Sequence, residues 1–260
     1  VGGLVAFLYG AVSYVIFLGT FLYAIGFVGN FIVPKSIDSG VVSDGLLALA
    51  VNLGLMSIFA LQHSAMARPE FKKVWTKVVP ESVERSTYVL FSSLALVLLF
   101  AYWQPMPTII WDLSGTIAGN LLYGLFWVGW ATVLAATFML SHFDLLGLKQ
   151  VYRRLRSRPL STPEEEILRT PALYKIVRHP IMLGFLIAFW ATPTMSVGHF
   201  LFAAVVTVYT LLALVLEERD LVAALGSSYL DYRKRVPMLV PFLRRRTSDP
   251  SEDETTKTAD

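Results

Sequence analysis

The chain contains no cysteine. That removes disulfides, thiolate metal ligands and a cysteine nucleophile, and it leaves the redox compartment open. Charge is scarce too. Charged residues make up 16% of the 260 positions, against roughly a quarter in an ordinary globular domain. Hydrophobic residues reach 55%, and several apolar runs are long enough to span a membrane, which points to a polytopic protein in a lipid bilayer rather than a soluble globule. No His-Glu-x-x-His or comparable ligand spacing occurs, so no metal site is expected. The start of the chain lacks the basic n-region of a signal peptide, and its first apolar run is too long for one. The net charge of +3 is a poor guide to partners, because the basic residues are segregated into a few loops. Nucleic acid binding is not implied.

What is present is a series of apolar segments. Leu4 to Val33 is the first, longer than a straight span requires. Gly45 to Leu61 returns and ends at Gln62-His63-Ser64. Met66 to Arg85 carries Phe71, Val74, Trp75 and Val78 at helical spacing, which reads as an interfacial segment. Ser86 to Trp103 and Ile117 to Leu140 are the third and fourth spans, joined by a loop holding Pro105, Pro107 and Gly115. After a basic stretch, within which Ser161-Thr162-Pro163-Glu164-Glu165-Glu166 reads as a helix start, a fifth span runs from Pro180 to about Val197. A sixth runs from His199 to Leu216 and stops at Glu217-Glu218. The fifth is short and is also compatible with a shallow hairpin. The fold class is therefore all-α: one polytopic membrane helix bundle of about six spans (five or six), covering residues 1–243. Residues 244–260 form a charged tail expected to be disordered. Asp220 to Arg235 reads as a surface helix. The oligomeric state stays open.

Of the 22 basic residues, Lys35 alone lies in the 34–44 loop, and the loops after spans three and five hold none. The others fall in segments 66–85, 149–178 and from 219 onward. The positive-inside rule puts those segments, and both ends of the chain, in the cytoplasm. Five polar clusters then share the cytoplasmic rim: Gln62-His63, Glu84-Arg85 with Tyr88, His142 with Asp144, Arg178-His179, and Glu217-Glu218. His199 lies at the opposite end. Pro180 suits the first turn of a helix, whose free N–H groups would face the cytoplasm and could receive an anion; a snorkelling anchor is the other reading of Arg178. Two carboxylates closing a helix oppose its dipole. One of them, Glu217 by preference, is a site candidate, while the other can pair with Arg219 or Arg178.

Arg178-His179-Pro180 with Gly184, Glu217-Glu218, Gly226-x-x-Tyr229-x-x-Tyr232 and Val236-Pro237 together resemble the isoprenylcysteine carboxyl methyltransferase superfamily of integral membrane enzymes. Gln62-His63-Ser64, Glu84-Arg85-Ser86-x-Tyr88 and Ser141-His142-Phe143-Asp144-Leu145 resemble its branch containing methanethiol S-methyltransferase and the nurim-like proteins. The resemblance covers most of the chain. It implies S-adenosylmethionine as cofactor, held by Tyr174, Arg178, His179, Pro180, Ile181 and Met182, with an aromatic residue often standing where this chain has Met182. Glu217 would meet the cofactor's amino acid or ribose. A soluble Rossmann methyltransferase is excluded, since no glycine-rich loop follows a strand.

The same resemblance implies a small thiol substrate, methanethiol giving dimethyl sulfide. His63 or His142 would take the thiol proton or hold the anion, with Tyr88 beside them and Arg85 as an alternative stabiliser. Two other readings stand beside it. One is methylation of a lipid or prenylcysteine, against which the absence of a basic residue from Thr210 to Leu216 argues. The other is a non-enzymatic nurim-like membrane scaffold. The topology makes the first prediction: single cysteines at Ser39 or Thr108 react with an impermeant thiol reagent on intact cells, whereas those at Ser82 or Ser157 react only after permeabilisation. The reverse pattern would break the shared-rim argument.

Overall fold

A computed structural model describes residues 2–158 and 172–241. The expected helix start at Ser161–Glu166 and the charged tail 244–260 lie outside the described residues. Among the described residues, five helices are long and apolar enough to cross a membrane: α1 Gly3–Gly29, α2 Gly45–Ala67, α4 Glu81–Tyr102, α5 Ile117–Met139 and α9 Val197–Leu225. Between them lie α3 Pro69–Trp75, α6 His142–Leu145, α7 Leu148–Leu155 and α8 Pro180–Trp190, with α10 Ser227–Arg235 at the end. The bundle is all-α apart from a two-stranded antiparallel ribbon, β1 Ile109–Asp112 against β2 Thr194–Ser196.

Capping follows local chemistry. The Asp44 carboxylate accepts from the amides of Leu46 and Leu47 at the start of α2, and the Thr116 hydroxyl accepts from Gly119 at the start of α5. The α1 helix stops at Gly29, short of Val33, because Asn30 takes a left-handed conformation. In α3, Phe71 and Trp75 stack with ring centres 5.6 Å apart, while Val74 and Val78 are left exposed. Exposed apolar side chains on a basic segment suit the membrane interface. The first residue of α1 abuts Arg154 and Leu155 of the basic stretch, so that helix begins on the basic face of the bundle.

The fifth crossing differs in kind from the rest. Its helix, α8, has 11 residues, about 16 Å of rise, roughly half a hydrocarbon core. The distance is completed by the extended residues Ala191 to Ser196. Non-helical backbone at membrane depth is tolerated only where protein covers it, and here Ala191, Thr192, Met195 and Ser196 are all buried. Its polar groups find partners in the ribbon, in Trp111, whose indole donates to Thr192 O, and in Asp38, which accepts from Ser196 Oγ. His199, wholly buried, sits 2.8 Å from Phe189 O through Nε2 and so ties off the end of α8.

The sixth segment departs from expectation in the other direction. Glu217 and Glu218 do not close a helix, because α9 continues without a break to Leu225 and ends at Gly226. The apolar pattern ends where the membrane ends, but the helix does not, since Arg219 to Leu225 offers no breaker. The dipole argument for the acid pair therefore does not apply. The expected surface helix from Asp220 is in fact the end of α9 followed, after Gly226, by the separate α10.

The aromatic core gathers Phe27, Phe100, Trp103, Phe126, Trp130, Phe189 and Phe202, most of them toward the ribbon end. The other end, bearing the basic segments, is where the polar clusters collect. Between the two ends α5 and α8 meet backbone to backbone: a Cβ on Gly129 would lie 2.6 Å from Ala188 N, and one on Gly184 would lie 2.8 Å from Gly129 O. Small residues permit such close approach in membranes. Replacing either glycine by alanine is expected to destabilise the protein by about 1–3 kcal/mol, the range for overpacking. Thermal unfolding in detergent measures it, with Gly124→Ala, whose Cβ meets nothing within 4 Å, as the control.

Candidate active site

Glu218 is the centre of the polar end. Its side chain is 7% exposed, and four hydrogen bonds and one further ion pair converge on its two oxygens. Arg178 approaches in a fork, Nε to Oε1 at 2.8 Å and Nη2 to Oε2 at 2.9 Å. The Tyr229 hydroxyl donates to Oε1 at 2.8 Å, His179 Nε2 lies 2.9 Å from the same oxygen, and Arg233 Nε lies 3.1 Å from Oε2. A bidentate, charge-assisted pair of this kind is strong, and breaking it would strand a buried charge. Arg178 also donates through Nη1 to Val236 O at 2.6 Å, while the backbone amides of Arg178 and His179 donate to Pro237 O and Met238 O.

The tyrosine spacing at the end of the chain now has a physical meaning. Tyr229 donates to Glu218, and Tyr232 donates to the Tyr174 carbonyl. The α10 helix is thereby strapped across the entry to α8. Burial pushes the Tyr229 phenol up and the Tyr232 phenol up to about 12, so both remain O–H donors.

Glu217, one residue earlier, is turned away from this knot. Half of its side-chain surface is open, and its nearest basic partner, His179 Nδ1, is 3.8 Å away. Tyr174 lies within electrostatic range of it. The Tyr174 phenol is pushed up by burial and so keeps its proton, and its oxygen is buried with no hydrogen-bond partner. Such a group is rare in a native structure and calls for a ligand or water. The first turn of α8 adjoins through His179, its N-cap. The first of its backbone amides to be spent on the chain is Leu183, to His179 O, which leaves those of Ile181 and Met182 before it.

Two turns deeper is a second group. His63 on α2 faces Tyr88 on α4, with the Tyr88 hydroxyl 2.9 Å from Nε2, and Ser92 Oγ lies 3.2 Å from Nδ1. Arg85 lies over the Tyr88 ring, 5.5 Å from its centre, and donates through Nε to Leu145 O at 2.9 Å. Tyr88 is in electrostatic range of both Arg85 and Glu217. Nearby, Ser64 Oγ and Tyr209 Oη are 3.0 Å apart, and Arg68 pairs with Asp220 at 3.0 Å, so α2 is bridged to α9 twice.

The structure thus brings His63, Tyr88 and Arg85 together with one another and toward Glu217, Tyr174 and His179. It does not bring His142 to them. Nε2 of His142 is 3.1 Å from Tyr14 Oη on α1, Nδ1 is 3.1 Å from Thr137 Oγ1 on α5, and its ring stacks on Phe138. Burial lowers its pKa, and both nitrogens are taken, which suits a strut between α1 and α5. Its neighbour Asp144 is held by Lys149 and Gln150. Among the described residues, no three His, Asp or Glu side chains converge as metal ligands would. Sequence reasoning assigned no role to Tyr209, Phe59 or Ser92. The signal was available for Tyr209, since residues 209, 213 and 217 share one helical face.

The model of one protein family, described as NnrU protein, matches residues 51–235. The chain belongs to that family. Methanethiol S-methyltransferase 2 of Bradyrhizobium diazoefficiens is 57% identical over 244 residues, which is 93% of each chain. Methanethiol S-methyltransferase of Mycobacterium tuberculosis is 53% identical over 240 residues, 92% of this chain and 97% of the relative. Human nurim is 33% identical over 184 residues, 68% of this chain and 69% of the relative. No solved structure matches. The matched region of this NnrU family member runs from α2 to α10 and so includes every side chain of both polar groups.

The two glutamates should separate in experiment. Arg178→Ala or Glu218→Gln is expected to cost about 3–5 kcal/mol of stability, as when one partner of a buried pair is removed. Glu217→Gln should leave the melting temperature within a degree or two. Thermal unfolding of the purified variants checks this, and a larger loss at Glu217 than at Glu218 would reverse the assignment.

Proposed function

We propose that the chain transfers the methyl group of S-adenosylmethionine to methanethiol, giving dimethyl sulfide. The observation that carries this reading is the open Glu217 carboxylate beside the unpartnered Tyr174 hydroxyl, at the mouth of the His63–Tyr88 group. Its support from relatives is that those named methanethiol S-methyltransferase are 57% and 53% identical across more than nine-tenths of the chain.

The residues present fit this donor. Its ammonium and ribose hydroxyls need acceptors, which Glu217 supplies, and its carboxylate suits the amides of Ile181 and Met182 opening α8. Tyr174 adds a hydroxyl that has no other partner. Arg178, His179 and Pro180 act one step back, by fixing where α8 begins. The donor, when bound, supplies an electrophilic sulfonium methyl and leaves as a neutral thioether.

The remaining chemistry belongs to the chain. The thiolate is the nucleophile, so the acceptor must lose its proton, and the His63–Tyr88 pair is the acceptor within reach. Arg85, over the Tyr88 ring, supplies positive charge to hold the anion. His142, committed to Tyr14 and Thr137, takes no part. The segment Thr210 to Leu216 offers no cation to a substrate carboxylate, and burying one unpaired is costly.

Binding of S-adenosylhomocysteine, followed by calorimetry, tests the donor site. Glu217→Gln and Tyr174→Phe should each weaken it by about 1–3 kcal/mol, the range for a lost buried or charge-assisted hydrogen bond. No binding by the unsubstituted protein would leave a scaffold rather than an enzyme. Turnover is tested separately. The protein should methylate methanethiol faster than mercaptoacetate or a free prenylcysteine. The rate should climb with pH toward the thiol range, about 8.5 or above. His63→Ala should lower kcat far more than it weakens donor binding, while His142→Ala should not. Faster methylation of either carboxylate-bearing thiol would overturn the substrate assignment.

A further inference from the structure

We infer that Phe59 of α2 and Tyr209 of α9 form the floor of the acceptor subsite and set the length of the alkyl thiol it takes. This rests on the thiol methylation proposed above and adds a determinant of its specificity.

Four observations lead to it. The Phe59 ring stacks on His63, with centres 5.2 Å apart and planes at 26°, and meets the Tyr209 ring edge-on at 6.5 Å and 69°. The two rings therefore close the space directly behind the side chain assigned to the acceptor proton. Tyr209 is not free to swing away, because its hydroxyl is held 3.0 Å from Ser64 Oγ, across the α2–α9 seam. Neither ring belongs to the aromatic core that fills the ribbon end of the bundle, and both are only partly buried. The fourth observation is a gap. Tyr209, Ala213 and Glu217 lie in line on α9, eight residues or about 12 Å of helix rise from first to last. The only side chain on that line between the floor and the open carboxylate is a methyl group.

The arrangement is a shallow well. Glu217 marks the mouth, where the donor lies, His63 and Tyr88 form one side, and Ala213 leaves room on the other. An aromatic floor also suits the occupant, since sulfur packs favourably against aromatic rings. One methyl group on sulfur fits above such a floor, whereas a longer alkyl chain must either strike it or push the sulfur out of line with the donor. A displacement of about 1 Å is enough to matter for in-line transfer.

The test compares kcat/KM for methanethiol and 1-propanethiol in the full-length protein in detergent. Tyr209→Ala and Phe59→Val should each raise the propanethiol-to-methanethiol ratio at least about tenfold, the lower end of what a methylene-sized difference yields in an apolar pocket. Tyr209→Phe, which keeps the ring but frees it from Ser64, should raise the ratio less than Tyr209→Ala does. S-adenosylhomocysteine binding reports whether each variant is folded; if Tyr209→Ala fails that check, Phe59→Val decides. An unchanged ratio in a variant that binds the donor analogue normally would overturn the floor while leaving the proposed function intact. Donor binding without methylation of any thiol by the unsubstituted protein would overturn the thiol reading, and the floor with it.

Discussion

A carboxylate buried at the polar end of a membrane bundle must be neutralised, and the rest of the site follows from how Glu218 meets that demand. Its partners come from the entry to α8 (Arg178 and His179) and from α10 (Tyr229 and Arg233). One ion pair thus fixes the angle at which α8 enters the bundle and seats the C-terminal helix over it. Successive residues of a helix differ by about 100° around its axis, so anchoring Glu218 inward also decides where Glu217 points. The second acid is aimed by the first, and its openness is a product of its neighbour's confinement.

The bundle divides its labour along the membrane normal. At the ribbon end, large aromatic rings fill the interior. At the basic end the interior is polar, with half-open side chains contributed by α2, α4 and α9. The fifth crossing links the two. It is helical where it must present free amides and extended where β1, Asp38 and His199 can satisfy its backbone and side chains. Lipid would not tolerate an uncovered extended stretch, and Ala191, Thr192, Met195 and Ser196 within it are buried in protein.

The long spans were legible because length and hydropathy alone define them, and the boundaries of α5 and the starts of α2 and α9 fall within two residues of the apolar runs, whereas α2 continues six residues past Leu61 to Ala67. The ribbon was not legible: Ile109-Ile110-Trp111-Asp112 carries no alternation, and its pairing is with residues more than eighty positions away. The end of α9 was misread because a change from apolar to charged residues marks the edge of the membrane, not of the helix. Both histidines at the rim looked equivalent, since each ends a span beside polar neighbours; only the fold shows His142 spent on Tyr14 and Thr137 while His63 faces Tyr88. Glu217 and Glu218 could be told apart only by the direction each takes from the helix. The Arg178 pairing was foreseeable from charge, but its use of both guanidinium edges and of carbonyls beyond Tyr232 was not.

The contact of Gly129 with Gly184 bears on how the protein can move. Where two helices touch through backbone there are no side chains to change rotamer, and sliding or tilting one past the other has no soft coordinate. The α5–α8 pair should therefore behave as a single stiff beam. The seam between α2 and α9 is built differently, from side chains: the Ser64–Tyr209 hydroxyl pair, the Phe59–Tyr209 rings and the half-exposed Arg68–Asp220 ion pair.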